Sequence, residues 1–425
     1  MAEATVSQQP RASAGGIAVL GTAQVAWRNL WRNPRRTWLM AGGIGFAAWM
    51  LIISMSLQGG TFTLMIDNGA RMMVGHVQVQ HPDYEDNPRL ENVLDDAPAL
   101  RARIETLPGV ASAALRGQAT ALVSTDERSF AAQVMGVEIG REAEWSRVPL
   151  SVRDGRYLAG SGEAFIGSVL ARNLGVSVGD ELVLLGTAKE GGVAALASDV
   201  VGIFETGMVG IDRSLVQIAL PEFREAWNLA PGEAHTLVVV TDRVQESLDL
   251  AERVWRTSGD WKTLNWKELM PDAEQFIALK LGGTWLFFTV ISVIVIFSVV
   301  NAFMMTIFER TQEFGMLKAI GMRPGRILFG LQVEAAWLWA LGMAIALAVC
   351  TAMILPLGTW GMPLPMDADE LLAAMHMPDR LYPEFDSAAA WVSGIALFVG
   401  TQLALLVPSL RLWRLRCVEA LRVQE

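Results

Sequence analysis

The sequence predicts an α-helical membrane protein with four transmembrane helices and one α+β domain outside the bilayer. Three observations carry this. Hydrophobic residues make up 52% of the 425, and they gather into four blocks. Each block reaches the about 20 residues that a helix needs to cross a hydrocarbon core of ~30 Å. Lys and Arg cluster at the ends of these blocks on one side only, which fixes an orientation. Between the first and second blocks lies a long region that alternates short strand and helix patterns.

Residues 1–37 form a polar lead whose first part is rich in Ala and Ser and reads as disordered. Its second part, from Ala26 through Trp27, Arg28, Trp31, Arg32 and Asn33-Pro34 to Arg36, mixes Trp with Arg. Trp27 and Trp31 are four apart and share a helical face. This reads as an interfacial helix with rings at headgroup depth and cations toward anionic lipid. An orientation signal accounts for the arginines equally well. Asn33-Pro34 is expected to end this helix and turn the chain inward. The first span covers 38–58. With a polar lead before it and no small-residue cleavage site in Gln58-Gly59-Gly60-Thr61, it is expected to remain as an anchor.

The outer region spans 59–283. Gly75–Gln80 alternates like a strand, Ala97–Leu107 has helical spacing ended by Pro108-Gly109, and Ala111–Ser124 reads as a strand or hairpin. The pattern recurs with a strand over His235–Thr241, a helix over Val244–Thr257 and a strand over Trp261–Trp266. Two β-α-β units flanking an insertion predict a split ferredoxin-like subdomain with an inserted β-rich subdomain at about 130–228. Within the insertion, strands are expected at Glu163–Gly167, Val178–Leu184, Val200–Phe204 and Ser214–Leu220. A helix is expected at Ser168–Leu174, and Thr206–Arg213 reads as a loop with a local Asp212–Arg213 ion pair. The remaining elements are a second span at 284–308, a connector at 309–326, a third span at 327–356, an acidic loop at 357–387, a fourth span at 388–410 and a tail at 411–425.

Charge orients these pieces. Arg28, Arg32, Arg35 and Arg36 precede span one. Arg310, Lys318, Arg323 and Arg326 lie between spans two and three, and Arg411, Arg414, Arg416 and Arg422 follow span four. The loop between spans three and four carries Asp367, Asp369, Glu370, Asp379, Glu384 and Asp386 against Arg380 alone. Both termini and the connector are therefore expected in the cytoplasm. A net charge of −10, with no basic face for phosphates, disfavours nucleic-acid binding. Of two cysteines, Cys350 lies in the third span and Cys417 in the tail. The outer domain must then hold together without disulfides.

Catalytic patterns are missing. No G-x-x-x-x-G-K-[ST] occurs, so no nucleotide site of the P-loop kind is expected. His76, His81, His235 and His376 are scattered without a zinc spacing, and structural or surface roles are preferred for them. No G-x-S-x-G supplies a nucleophile. The chain reads as a non-catalytic membrane subunit that holds no cofactor or metal. Glu334 is the one acid set into a span. Snorkelling, or pairing with Arg326 or a neighbouring helix, is preferred over a proton relay. Met50, Met55, Met65, Met72 and Met73 follow the first span outward. They read as membrane filler, with Met55, Leu57 and Met65 kept as candidate acyl-chain contacts.

The connector Phe308-Glu309-Arg310-Thr311-Gln312-Glu313-Phe314-Gly315-Met316-Leu317-Lys318-Ala319-Ile320-Gly321-Met322-Arg323-Pro324 is long enough for several helical turns. On a helical wheel Glu313 falls between Leu317 and Ile320, so its faces are mixed. A helix lying flat on lipid would separate them. Mixed faces suit a helix wedged between protein surfaces.

At these residues the sequence resembles the FtsX-like permeases of ABC transporters, whose signature reads E-R-x-x-E-I-G-x-L-K-A-I-G-A. Arg28-Asn29-Leu30 with Arg35-Arg36-Thr37 is similar to the family's start, and Val418-Glu419-Ala420-Leu421-Arg422 resembles its P-V-E-A-L-R ending, with Cys417 in place of proline. The resemblance implies a coupling helix that docks on a separate ABC ATPase dimer, which would bind ATP and Mg. Its contacts would be Glu309, Arg310, Glu313, Phe314, Leu317, Lys318, Gly321, Met322 and Arg323. It also implies a second permease, identical or not, in a bacterial inner membrane, with the large domain periplasmic. Gly75-His76-Val77-Gln78-Val79, Pro82-Asp83-Tyr84 and Thr206-Gly207 with Ile211-Asp212-Arg213 look most like the lipoprotein-releasing LolC/LolE branch. The resemblance implies release of lipoprotein or lipid cargo first, with two alternatives: MacB-like efflux of periplasmic substrates, and FtsX-like mechanical signalling to a periplasmic enzyme.

Overall fold

The computed structural model describes residues 23–85, 87–363, 380–383, 385–406 and 409. The N-terminal Ala/Ser stretch, most of the acidic loop with Asp367, Asp369, Glu370, Asp379 and Glu384, and the tail with Cys417 and Val418–Arg422 lie outside them. The chain divides into two compact units. One is built on residues up to Gly60, Leu279–Gly361 and the chain from Tyr382. The other is built on Thr61–Ala278 and Met362–Leu381.

The first unit is helical. Residues 23–30 form helix α1. After a turn, α2 runs from Pro34 to Gly69 with proline at its first position, where a missing N–H costs nothing. Asn33-Pro34 therefore does end the first helix, and the same proline opens the next. Three further long helices are α10 (Pro271–Glu309), α12 (Pro324–Trp360) and α13 (Ser387–Ala404). With α2 they are the four helices long and apolar enough to cross a membrane. Three of them exceed the span limits read from hydropathy. Their ends carry polar residues, such as Asp272, Glu274 and Gln275 of α10, that continue a helix without continuing an apolar run.

Helix α2 is the central one. Of its most apolar stretch 61% is buried, against 22% for α10 and 33% for α12 and α13. Its Ala41, Ile44, Ala48 and Leu51 pack with Val299 and Phe303 of α10, Leu331, Leu338 and Ala346 of α12, and Leu397 of α13. The small residues set the spacing. A Cβ on Gly45 would lie 2.9 Å from the Gly342 carbonyl oxygen, and one on Gly342 would lie 2.8 Å from that of Ala41. Two glycines facing each other let the α2 and α12 backbones meet, which is how apolar helices gain packing in lipid.

The second unit is a sheet with helices. Its strands are β1 (Val77–Gln80), β2 (Ser112–Ser124), β3 (Ser129–Val137), β4 (Val152–Gly155), β5 (Glu163–Gly167), β6 (Glu181–Thr187), β7 (Val193–Phe204), β8 (Leu215–Ala219), β9 (Thr236–Val240) and β10 (Lys262–Asn265). Backbone hydrogen bonds join them in the order β10-β1-β9-β2-β3-β8-β5-β7-β4. The Ala111–Ser124 stretch is thus one long strand. Its first part pairs with β9 and its last residues, Leu122–Ser124, pair with Val183–Leu185 of β6. Since β6 also pairs with β7, the strands β2, β3, β8, β5, β7 and β6 form a closed circuit.

Helices α3 (Ala97–Glu105) and α8 (Ser247–Ser258) cover β1, β9 and the start of β2. Leu100, Ile104, Leu250 and Val254 meet Val77, Val79, Leu115, Leu237 and Val239 there. Inside the closed circuit Val123, Val134, Ile166, Leu184 and Val216 pack with Phe223 and Trp227. These two rings are stacked, with centroids 4.6 Å apart.

A buried ion pair lies beside the π-helical turn that follows α2. Arg116 and Glu142 are 1% and 0% exposed and bonded through two nitrogens, with Arg116 Nε donating to Glu142 Oε2 at 3.1 Å. Arg116 also donates to the Met73 carbonyl and lies 4.7 Å over the Trp145 ring. Met73 belongs to a π-helical turn, Ala70–Val74, that extends α2 and ends at Gly75. Gly75 has φ +75°, a conformation open to glycine.

Candidate functional site

The connector between the second and third long helices folds as α11, Thr311–Ala319. Arg310, with φ −104° and ψ 18°, breaks α10 from α11. At the other end Gly321 takes φ +97°. Its N–H donates to Lys318 O at 3.0 Å, and the Met322 N–H donates to Leu317 O at 2.9 Å. This pair of bonds is a Schellman stop, which requires a left-handed residue and so explains Gly321. Pro324 then opens α12.

One face of α11 is buried and another is open. Phe314 is 4% exposed and joins the helical core, with Leu317 and Met322 packed partly against it. Met316 and Ile320 are 52% and 85% exposed, and Gln312, Ala319 and Arg323 are exposed as well. Lys318 is half-buried.

The first turn of α11 stands in a network of charges. Arg310 Nε donates to Glu313 Oε2 at 2.8 Å, and Arg32 Nη1 donates to the other oxygen, Oε1, at 2.9 Å. Arg36 Nη1 donates to Glu309 Oε2 at 3.1 Å and its Nη2 to Thr306 Oγ1. Arg310 Nη1 also reaches Glu334 Oε2 at 3.5 Å, and its guanidinium lies 5.3 Å over the Phe314 ring. Partial burial pushes the Glu313 carboxyl up, but the bonds from Arg310 and Arg32 outweigh it and hold the group below the ordinary glutamate value. The charged side chains of this network, with Asn29, Asn33 and Leu338, line a cavity of about 360 Å³.

Of the residues singled out from the connector's sequence, Glu309, Arg310 and Glu313 sit in this network. Phe314, Leu317 and Met322 face the bundle, Lys318 lies on the last turn of α11, Gly321 ends the helix, and Arg323 precedes the first residue of α12. Sequence reasoning missed Arg32, Arg36 and Thr306, which lie far away along the chain. Glu334, for which snorkelling or pairing with Arg326 or a neighbouring helix was expected, pairs with Arg310 at the junction of α10 and α11.

The first unit also has an apolar cleft of about 550 Å³ between α2 and α10, lined by Met50, Leu51, Ser54, Leu279, Thr284, Phe287 and Phe288 among others. Nearby, Gln58 Nε2 donates to Thr284 Oγ1 at 2.8 Å. Met55 is buried in the helical core, and Leu57 and Met65 are half-buried; none of the three lines the cleft.

In the second unit the expected loop at Thr206–Arg213 contains a short helix, α6 (Val209–Ser214). Asp212 is buried and accepts from Thr206 N at 2.8 Å, Thr206 Oγ1 at 2.7 Å and Gly207 N at 3.2 Å. These bonds replace the expected pairing with Arg213. His76 and His235 are fully buried, and among the described residues no three His, Cys, Asp or Glu side chains converge as a metal site.

Residues 37–254, just over half of the chain, match the MacB-like periplasmic core domain, and residues 285–416 match the FtsX-like permease C-terminal region. Over 124 residues the chain is 33% identical to the pyoverdine export ATP-binding/permease protein PvdT of Pseudomonas aeruginosa, covering 29% of this chain and 17% of that protein. The chain thus spans less than a fifth of that relative's length. Among solved structures, the periplasmic region of MacB from Actinobacillus actinomycetemcomitans is similar at 11% identity, over 47% of this chain and 94% of that one, with a TM-score of 0.35. The extracellular domain of the ABC-type transporter YknZ from Gram-positive bacteria is similar at 12% identity, over 44% and 98%, with a TM-score of 0.34.

Proposed function

This chain belongs to the MacB-like periplasmic core domain family, and from that premise we propose that it is the permease subunit of an ATP-driven ABC transporter. It would sit in a bacterial inner membrane with its termini and α11 cytoplasmic and its sheet unit periplasmic. The observation that carries this reading is α11 itself. It is a short helix set off by the break at Arg310 and the Schellman stop at Gly321, tied by charges to the bundle on one side and presenting Met316 and Ile320 on the other. Such a helix can take a push on its exposed face and pass it to α2, α10 and α12 through Arg32, Arg36 and Arg310. We read the exposed face as the docking surface for an ABC ATPase dimer, which binds ATP and Mg, and the permease as working in pairs.

The test is association. Ile320→Glu leaves the buried face of α11 untouched and is expected to abolish co-purification with the cognate ATPase and its stimulation. Exchanging the charges of Glu313 and Lys318 is expected to do the same. Unchanged assembly with all these variants would overturn the assignment.

For cargo, the apolar cleft between α2 and α10 favours a molecule with an acyl chain, as in release of lipoproteins by the LolC/LolE branch. In this reading β1-α3-β2 and β9-α8-β10 are the split ferredoxin-like subdomain, and the closed circuit is its β-rich insertion. Efflux of a soluble molecule is the second reading, favoured by the match to a pyoverdine export protein. Photocrosslinkers at Met50 and Ser54 separate the two, since only the first traps acylated cargo.

A further inference from the structure

Four arginines, Arg28, Arg32, Arg35 and Arg36, lie just before α2 and in its first turn, and the bundle uses two of them. Arg32 and Arg36 are spent on Glu313 and Glu309. Arg28 and Arg35 are exposed, and among the described residues neither makes an ion pair or side-chain hydrogen bond. The same stretch of sequence, with α12, carries a chain of four tryptophans in edge-to-face contact. Ring centroids are 5.1 Å apart for Trp337 and Trp27, 5.7 Å for Trp27 and Trp31, and 6.1 Å for Trp31 and Trp38. All four rings remain between 38% and 50% exposed. The surface lies at one end of α2 and on α12, two helices long and apolar enough to span a bilayer.

Each part has a chemical meaning. Indole rings left open at the end of a span favour headgroup depth, where a flat apolar body and one N–H donor are both satisfied. Two guanidiniums without carboxylate partners, interleaved in sequence with Trp27, Trp31 and Trp38, match the phosphate of a lipid with net negative charge. A zwitterionic headgroup answers that phosphate with its own cation, so it gains less. The same stretch holds α11 by Arg32, through Glu313, and the end of α10 next to it by Arg36, through Glu309. Ordering this stretch at a lipid headgroup therefore also orders the partners of Glu313 and Glu309.

We propose that Arg28 and Arg35, with Trp27, Trp31, Trp38 and Trp337, form a binding surface for anionic phospholipid, and that Arg32 and Arg36 pass its occupancy to α11. The consequence for transport rests on α11 being the docking element; the lipid site does not.

The test uses the full chain without an ATPase, so that it stands even if the docking assignment fails. In detergent, the chain is titrated with phosphatidylglycerol or phosphatidylcholine and bound lipid is counted by native mass spectrometry. The expected preference for phosphatidylglycerol is about 30-fold, the increment of two arginines at an anionic surface. Arg28→Gln/Arg35→Gln removes it, while Arg172→Gln, at an exposed position of the other unit, does not. Amide exchange over 311–319 slows when phosphatidylglycerol is added. Arg32→Gln/Arg36→Gln keeps the lipid preference and loses the slowing. Equal binding of the two lipids, or a preference undiminished in the Arg28/Arg35 variant, would overturn the site. Slowing that survives the Arg32/Arg36 variant would overturn the link to α11.

Discussion

Arg310 donates from Nη1 to Glu334 Oε2 at 3.5 Å, so the residue that opens α11 is also tied to the helix that follows it. The same guanidinium holds Glu313 and covers Phe314. Three partners at once need a planar fork, which lysine lacks. Arg310→Lys is expected to raise amide exchange over α11 by about tenfold, a local loss of ~1.4 kcal/mol, with little change in global melting. Exchange at the wild-type rate would show that charge alone suffices.

The close approach of α2 and α12 predicts a steric effect. Gly342→Val puts two methyls where one Cβ already meets the Ala41 carbonyl at 2.8 Å. Overpacking of this kind costs about 1–3 kcal/mol. The variant should lower the melting temperature in detergent, whereas Gly330→Ala, with nothing near its added Cβ, should not.

The Arg116–Glu142 pair predicts non-additive losses. Arg116→Met leaves Glu142 buried without its cation and should cost roughly 3–5 kcal/mol. The double change Arg116→Met/Glu142→Leu removes both charges and should recover part of that. A double-mutant cycle in chemical denaturation measures the coupling. Simple addition would mean that water reaches the site.

His235 predicts a pH dependence in the sheet unit. Burial pushes its imidazole down to about 4 from an ordinary 6.5, and its Nδ1 accepts from Gln118 N at 3.0 Å. The unfolded chain takes up a proton near pH 6.5, the folded one near 4. Stability is therefore complete above 6.5 and falls as pH drops from 6.5 to 4, by on the order of 3 kcal/mol. His235→Gln should flatten this part of the stability profile.

What could be read from sequence follows the range of the forces involved. The four long helices were legible because each is a local run of apolar residues. Their extensions, such as Pro271–Gly283 of α10, were not, because a polar helical segment leaves no hydropathy signal. Glu313 was visible as a charge in the connector, but its partner Arg32 lies 281 residues away. The short helix at Val209–Ser214 was hidden for another reason. Asp212, which fixes it by accepting from Thr206 and Gly207, looked from its neighbour Arg213 like half of an ion pair.

The seam that closes the strand circuit has a consequence for biogenesis. Only three residue pairs, Leu122 with Leu185, Val123 with Leu184 and Ser124 with Val183, join β2 to β6. The circuit also needs the parallel pairings of β3 with β8 and β5 with β7, which bring together distant parts of the chain. Such contacts form late and slowly. Until they form, strand edges are open to other chains, and no cysteine is available between the first and third spans to trap a partly closed state. Damage at the seam should therefore appear as lost yield during export before it appears in the melting of molecules that have already closed.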